Sequence, residues 1–340
     1  MKKTRMVCSA IVASLFILGG CGGNTDNDDL TIENESNFEG TSVSLDGDDY
    51  FIEQDEISTN HIHGLGFAGN ENIIYFATDH GLILYDNGKW FGTDQEQNDY
   101  LDFSAVEGGF YASVHQDENK NFDVENRLGL VKSVDGGKNV DHLDLLDEKD
   151  FRVAGTSYYT NAVYVYNFEP NNRMGETGLY YTLDDGDTWT KSDMQGLPDV
   201  SNDEGNHHDF VLSVHPRNEN TVVIGTDDGL FLSDDYGDHF RESELDLPIT
   251  SLAFHEDDVL AAVWTGEMEL VRLRSEGDTI PVELPRLDEQ DQIQYISVNP
   301  NDDHDIVFTT FSGDSYHTLD HGVTWVMIME DFETAKVLPY

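Results

Sequence analysis

From His61 onward, apolar and polar residues alternate in short runs, and no stretch sustains a helical period. Leu212-Ser213-Val214-His215-Pro216 precedes Thr221-Val222-Val223-Ile224-Gly225, and Ile296-Ser297-Val298-Asn299-Pro300 precedes Asp305-Ile306-Val307-Phe308. Each pair reads as two period-two strands joined by a polar turn. A glycine-led apolar run recurs behind such pairs. The leading glycines are Gly81, Gly129, Gly178, Gly229, Gly266 and Gly313, at spacings of 48, 49, 51, 37 and 47. A period near 48 residues suits four-stranded blades around an axis. The expectation is an all-β fold, a β-propeller of six four-stranded blades over residues 58–340. Seven blades is the alternative, with the extra one hidden in 141–165 or 275–292.

Most of the runs end in a Ser/Thr-x-Asp-x-Gly box. The copies are Ser133-Val134-Asp135-Gly136-Gly137, Thr182-Leu183-Asp184-Asp185-Gly186, Ser233-Asp234-Asp235-Tyr236-Gly237 and Thr318-Leu319-Asp320-His321-Gly322. A shortened copy ends in Asp86-Asn87-Gly88-Lys89-Trp90, and the unit from Gly266 to Arg272 has lost the box. The box is a hairpin device. Its Asp accepts hydrogen bonds from turn amides, and its Gly adopts a positive φ that other residues avoid. The aromatic residue that follows opens the next strand and packs between blades. Asp135, Gly137, Asp184, Gly186, Trp189, Asp235, Gly237, Phe240, Asp320, Gly322 and Trp325 are therefore assigned structural roles. Val140 stands where the first box lacks its aromatic.

The first residues follow another logic. Lys2, Lys3 and Arg5 precede an apolar run from Met6 to Leu18, then Gly19-Gly20-Cys21. The run is too short to span a bilayer, which needs ~20 apolar residues, and it has the layout of a secretory signal. Leu18-Gly19-Gly20-Cys21 resembles the bacterial lipobox. That resemblance implies cleavage after residue 20, lipidation of Cys21, and anchorage on the extracytoplasmic face of the cell membrane. Residues 21–57 are polar and acidic and read as a flexible tether. With Cys8 lost in the leader and Cys21 lipidated, no disulfide remains, so a large core or bound ions must hold the body.

Charge narrows the partners. The chain has 68 acidic and 18 basic residues, a net charge of −50. No basic patch is available to a nucleic acid. A surface this acidic attracts cations loosely and resembles those of salt-adapted proteins. No carboxylate spacing matches a twelve-residue calcium loop.

Histidines are the more selective signal. His61 and His63 flank Ile62 at the start of an expected inner strand, so they point the same way. His115 ends another strand, and His208 precedes a later inner strand. Imidazoles converging with a carboxylate suit a divalent transition metal, and no other cofactor is indicated. Hydrogen bonding between blades is the alternative role for His61 and His63.

The box pattern is similar to the Asp-box, or BNR repeat, of sialidase-like and sortilin-like propellers. Together with His61-Ile62-His63-Gly64-Leu65-Gly66-Phe67, Asp102-Phe103-Ser104-Ala105 and Gly109-Phe110-Tyr111-Ala112-Ser113-Val114-His115, it resembles a family of firmicute BNR/Asp-box lipoproteins often labelled glycosyl hydrolase. The resemblance spans residues 58 to 335 and implies a cell-surface propeller. It does not carry sialidase chemistry. The Arg-Ile/Leu-Pro motif of sialidases is absent, and the first arginine after the tether is Arg127. Three functions follow as expectations: a binding or scaffold module for a protein, glycan or small ligand; a glycoside hydrolase with a carboxylate pair in the channel; and a metal-dependent activity on the histidines.

Overall fold

The computed structural model describes residues 43–45, 47–93, 98–115, 127–146, 151–198 and 210–336. The alternating runs become six antiparallel sheets of consecutive strands. Blade 1 holds β1 (Ile52–Gln54), β2 (Ile62–Phe67), β3 (Ile74–Thr78), β4 (Gly81–Asp86) and β5 (Lys89–Gly92). Blade 2 holds β6 (Asp99–Val106), β7 (Gly109–His115), β8 (Arg127–Ser133) and β9 (Asp141–Asp144). Blade 3 holds β10 (Phe151–Thr156), β11 (Val163–Asn167), β12 (Gly178–Thr182) and β13 (Thr190–Lys191). Blade 4 holds β14 (Val211–Val214), β15 (Val222–Thr226), β16 (Gly229–Ser233) and β17 (Arg241–Glu242). Blade 5 holds β18 (Ile249–His255), β19 (Asp258–Trp264), β20 (Met268–Leu273) and β21 (Thr279–Val282). Blade 6 holds β22 (Ile293–Asn299), β23 (Asp302–Thr310), β24 (Ser315–Thr318), β25 (Val326–Glu330) and β26 (Glu333–Thr334).

The innermost strands β2, β6, β10, β14, β18 and β22 neighbour one another in a closed ring. The fold is a six-bladed β-propeller. The two stretches offered for a seventh blade supply β9, β10, the start of β11 and β21 instead. Counted outward from the axis, Gly81, Gly178 and Gly229 open the third strands β4, β12 and β16, Gly129 lies two residues inside β8, and Gly266 and Gly313 stand two residues before β20 and β24.

Packing explains the sequence pattern. Strands β3, β11 and β15 are buried along their whole length, because both faces of a blade meet a neighbour. Such strands read as continuous apolar runs rather than alternating ones. Six apolar clusters fill the six gaps between blades. In one, Tyr75, Leu82 and Phe91 of blade 1 meet Tyr100, Phe103 and Phe110 of blade 2. In another, Ile74, Phe76 and Trp90 of blade 1 meet Val307, Ile328 and Met329 of blade 6, which closes the ring. Backbone bonds clasp the same junction. Thr59 N–H donates to Phe332 O and Thr334 N–H to Ile57 O, both at 3.0 Å.

That clasp moves the expected boundary. Residues 43–45 and 47–57, read from sequence as the end of the tether, pack on the body. Phe51 is buried, Leu45 joins the cluster between blades 1 and 2, and Val43 and Tyr50 lie against it. Strand β1 pairs with β5, which makes blade 1 five-stranded. Strand β26 does the same for blade 6. The apolar residues of this stretch are few and interleaved with acids, so composition hid them. The expected lipid site, Cys21, lies outside the described residues.

The box turns share one hydrogen-bond scheme. Ser133 Oγ, Thr182 Oγ1, Ser233 Oγ and Thr318 Oγ1 each accept the N–H of the box glycine, at 2.9, 2.9, 3.0 and 3.1 Å. Asp135, Asp184, Asp235 and Asp320 each accept a backbone N–H four residues on, at 2.8–2.9 Å. Gly137, Gly186, Gly237 and Gly322 take φ between 83° and 90°. The following aromatics reach the preceding blade. Trp189 Nε1 donates to Asp144 at 2.7 Å and Trp325 Nε1 to Glu283 O at 2.8 Å, and Phe240 packs with Tyr164 and Leu179. Val140 packs against the cluster between blades 1 and 2.

The two faces differ. Turns that follow the inner strands bond to one another: Gly69 N–H to Val106 O, Glu107 N–H to Tyr158 O, and Tyr159 N–H to Pro216 O, at 3.0, 2.9 and 2.8 Å. The inner strands begin on the opposite face.

Candidate functional site

Six inner strands enclose an axial cavity of about 310 Å³. All six contribute to its wall. Aromatic rings line it at Phe103, Tyr159, Phe210, Phe254 and Tyr295. Between them stand Ser104, Thr156, Ser213, Ser251, Gln294 and Ser297. Among the described lining residues only Asp102 and Glu256 carry carboxylates, in a chain with 68 acids. Asp102 sits in a bulge of β6 and accepts the Ser113 hydroxyl at 2.8 Å. Glu256 lies in the turn after β18, at the other end. His255 also lines the cavity, and burial holds its imidazole below the usual range, so it is uncharged at neutral pH. At the far face the Arg217 guanidinium covers the Tyr159 ring at 3.9 Å.

Close approach of blades makes the wall. A Cβ on Gly64 would fall 2.6 Å from Phe103 Cβ and 3.1 Å from Phe103 N and O. Only a residue without a side chain fits there. Register shifts put an extra residue into β2 between Ile62 and Gly64, and similarly into β10, β18 and β22. The bulged residue of β2 is His63.

His63 therefore leaves the ladder and meets the next turn of its own blade. His63 Nε2 hydrogen-bonds Asp79 Oδ1, and His61 Nδ1 bonds Asp79 Oδ2 at 2.8 Å. Asp79 is held by a turn that the sequence defines. Thr78 Oγ1 donates to Gly81 O at 2.9 Å and accepts His80 N–H at 3.2 Å. The same turn recurs as Thr226-Asp227-Asp228-Gly229 in blade 4, where the inner strand carries no histidine. Desolvation opposes the Asp79 charge, but hydrogen bonds from His63 and His61 outweigh it and lower the carboxyl below its usual range. His63 also lines the cavity, so this cluster stands at the mouth where the inner strands begin.

Two of the four candidate histidines thus come together, with Asp79 as the third group. Asp79 was missed from sequence. Its signal was the Thr-Asp-x-Gly turn before a leading glycine, which aligns with blade 4. His115 ends β7 opposite Asp99, and its side chain lies outside the described residues, as does His208. Other histidines serve packing. His215 Nε2 bonds Asp257 at 2.9 Å while its Nδ1 accepts two turn amides at 3.1 and 3.2 Å. His317 bonds Asp305 at 2.7 Å. A second cluster, Asp303, His304 and His321, lies on the opposite face beside the blade 6 box turn. There Arg272 stands 3.5 Å from Asp303 and supplies a counter-charge.

No family model matches the chain, and no curated protein does. Solved structures do. The chain is similar to the Niastella koreensis GH74 enzyme, with a TM-score of 0.54 and 14% identity over 80% of this chain and 46% of that one. YCF48 from Cyanidioschyzon merolae follows at TM-score 0.47 and 14% identity, covering 82% of this chain and 88% of that one. A streptogramin B lyase also gives 0.47, at 12% identity, covering 82% and 86%. The chain spans about half the length of the GH74 enzyme, and at this identity the likeness speaks to the propeller fold alone.

Proposed function

We propose that this propeller is a binding module that takes an uncharged ligand, a glycan segment, into its axial channel. The observation that carries the reading is the sparsely charged channel wall of an otherwise strongly acidic protein, with Asp102, Glu256 and Arg217 its Asp, Glu, Lys or Arg residues among those described. Flat aromatic rings interspersed with hydroxyl and amide groups offer stacking surfaces and directional hydrogen bonds, as ligand pockets do. The cavity volume falls at the lower end of the ~300–1,000 Å³ range of such pockets. Lipid attachment at Cys21 would display the module outside the cell, in keeping with the resemblance to BNR/Asp-box lipoproteins. Hydrolysis is the weaker reading, because the two lining carboxylates among the described residues stand at separate levels of the channel.

Calorimetric titration with neutral cello- and chito-oligosaccharides tests this, with polyanionic oligosaccharides as the contrast. Binding by the neutral set is expected, abolished by Ser297→Trp, which fills the channel from β22. Binding untouched by that substitution, or preference for polyanions, overturns the channel reading. Turnover that disappears in Asp102→Asn or Glu256→Gln replaces it with hydrolysis.

A further inference from the structure

We propose that His61, His63 and Asp79 form a site for one first-row divalent transition metal, zinc in type, at the channel mouth. The role of the ion rests on the channel-binding reading; its presence does not.

Four observations support the site. The ligating atoms, Nδ1 of His61, Nε2 of His63 and the Asp79 carboxylate, all lie within 4.8 Å of one another. Both imidazoles bond the two oxygens of one carboxylate, His61 from the residue before β2 and His63 from the β2 bulge. Among the described residues Asp79 has no Lys or Arg partner, unlike Asp303 in the second cluster. Side-chain exposures of 68% for His61 and 27% for His63 and Asp79 leave a path for an ion and keep the site partly sheltered.

The chemistry fits zinc better than calcium. Two neutral nitrogens and one carboxylate suit a borderline metal, whereas calcium takes 6–8 oxygens. Three protein ligands leave a position open in a tetrahedral shell, the arrangement of reactive rather than purely structural zinc. Because His63 also lines the cavity, a water or a ligand hydroxyl at the mouth would complete the shell. The ion would then orient a bound glycan at the mouth while the aromatic wall holds its length. The acidic surface raises the local concentration of cations, so the test must separate this site from loose binding.

The full chain is freed of metal with chelator, then titrated with Co²⁺ and with Zn²⁺ at about 1 M salt, where the Debye length is ~3 Å. One equivalent of Co²⁺ with a tetrahedral visible spectrum is expected, displaced by Zn²⁺. His63→Ala and His61→Ala should each weaken it by at least about tenfold, since even outer-shell changes cost 10–100-fold. His304→Ala should leave it unchanged. The largely exposed His61 makes His61→Ala a variant that keeps the fold, checked by an unchanged melting curve. No stoichiometric Co²⁺, or the same binding in His61→Ala and His63→Ala, overturns the proposal, as does loss in His304→Ala alone. If Co²⁺ fails to bind while neutral glycans still bind and Ser297→Trp still blocks them, only the metal site falls.

Discussion

Adding one methyl group at Gly64 tests how the channel wall is built. The new Cβ would sit 2.6 Å from Phe103 Cβ, with Phe103 backbone atoms at 3.1 Å. Carbon atoms prefer ~3.5 Å or more, so β2 and β6 must part by about 0.9 Å. Backbone on the far side cannot swing away as a side chain would. Overpacking of this sort costs about 1–3 kcal/mol. Gly175→Ala is the control: nothing lies within 4 Å of its added Cβ, and its φ is not positive. There the substitution narrows the unfolded ensemble and should be neutral or stabilise by up to about 1 kcal/mol. Guanidinium unfolding at fixed high salt measures both. Gly64→Ala is expected to be less stable than the parent, and Gly175→Ala equally or more stable. Gly64→Ala as stable as the parent would refute the close-contact reasoning. Glycan affinity should fall with it, because Phe103 lines the cavity.

Three further outcomes follow from the same geometry. Phe51→Ala should lose about 3–5 kcal/mol in denaturant melts, since Phe51 is 1% exposed; a tether residue would lose nothing. Thr334→Val removes the oxygen that accepts Ile57 N–H at 2.8 Å and should lower stability by about 1–3 kcal/mol, with no effect if the ring closes without this clasp. Hydroxyls of Thr318 and Thr324 and the Thr324 amide push Asp320 down to about 2 from 3.8. Its contribution is complete above the unfolded value and is lost as pH falls through about 2. The stability gap between the parent and Asp320→Asn should therefore be constant near neutrality and shrink below pH 4; a gap that widens in acid contradicts this.

Much of the fold was legible because repetition made it so. Six leading glycines marked six third strands, and the boxes located four outer hairpins, three of them with an aromatic residue. Blade 5 lacks a box, yet Gly266 still preceded β20. The first strand and the residues around Phe51 were not legible, because a few apolar side chains among many acids give no periodic signal. The site was half legible. His61 and His63 stood out by spacing, but Asp79 comes from a turn sixteen residues beyond His63, and the pairing of β2 with β3 brings that turn beside them. The channel wall was invisible, since its residues come from six strands and each is ordinary alone.

Hydroxyl-radical footprinting with and without a saturating neutral oligosaccharide tests the central claim most directly, that ligand is held in the axial channel. The account predicts lower oxidation of Tyr159 and Tyr295, which line the cavity, and unchanged oxidation of Leu183 and Leu319, which are exposed on the box turns. Protection of the box-turn leucines with the channel tyrosines unchanged would contradict it.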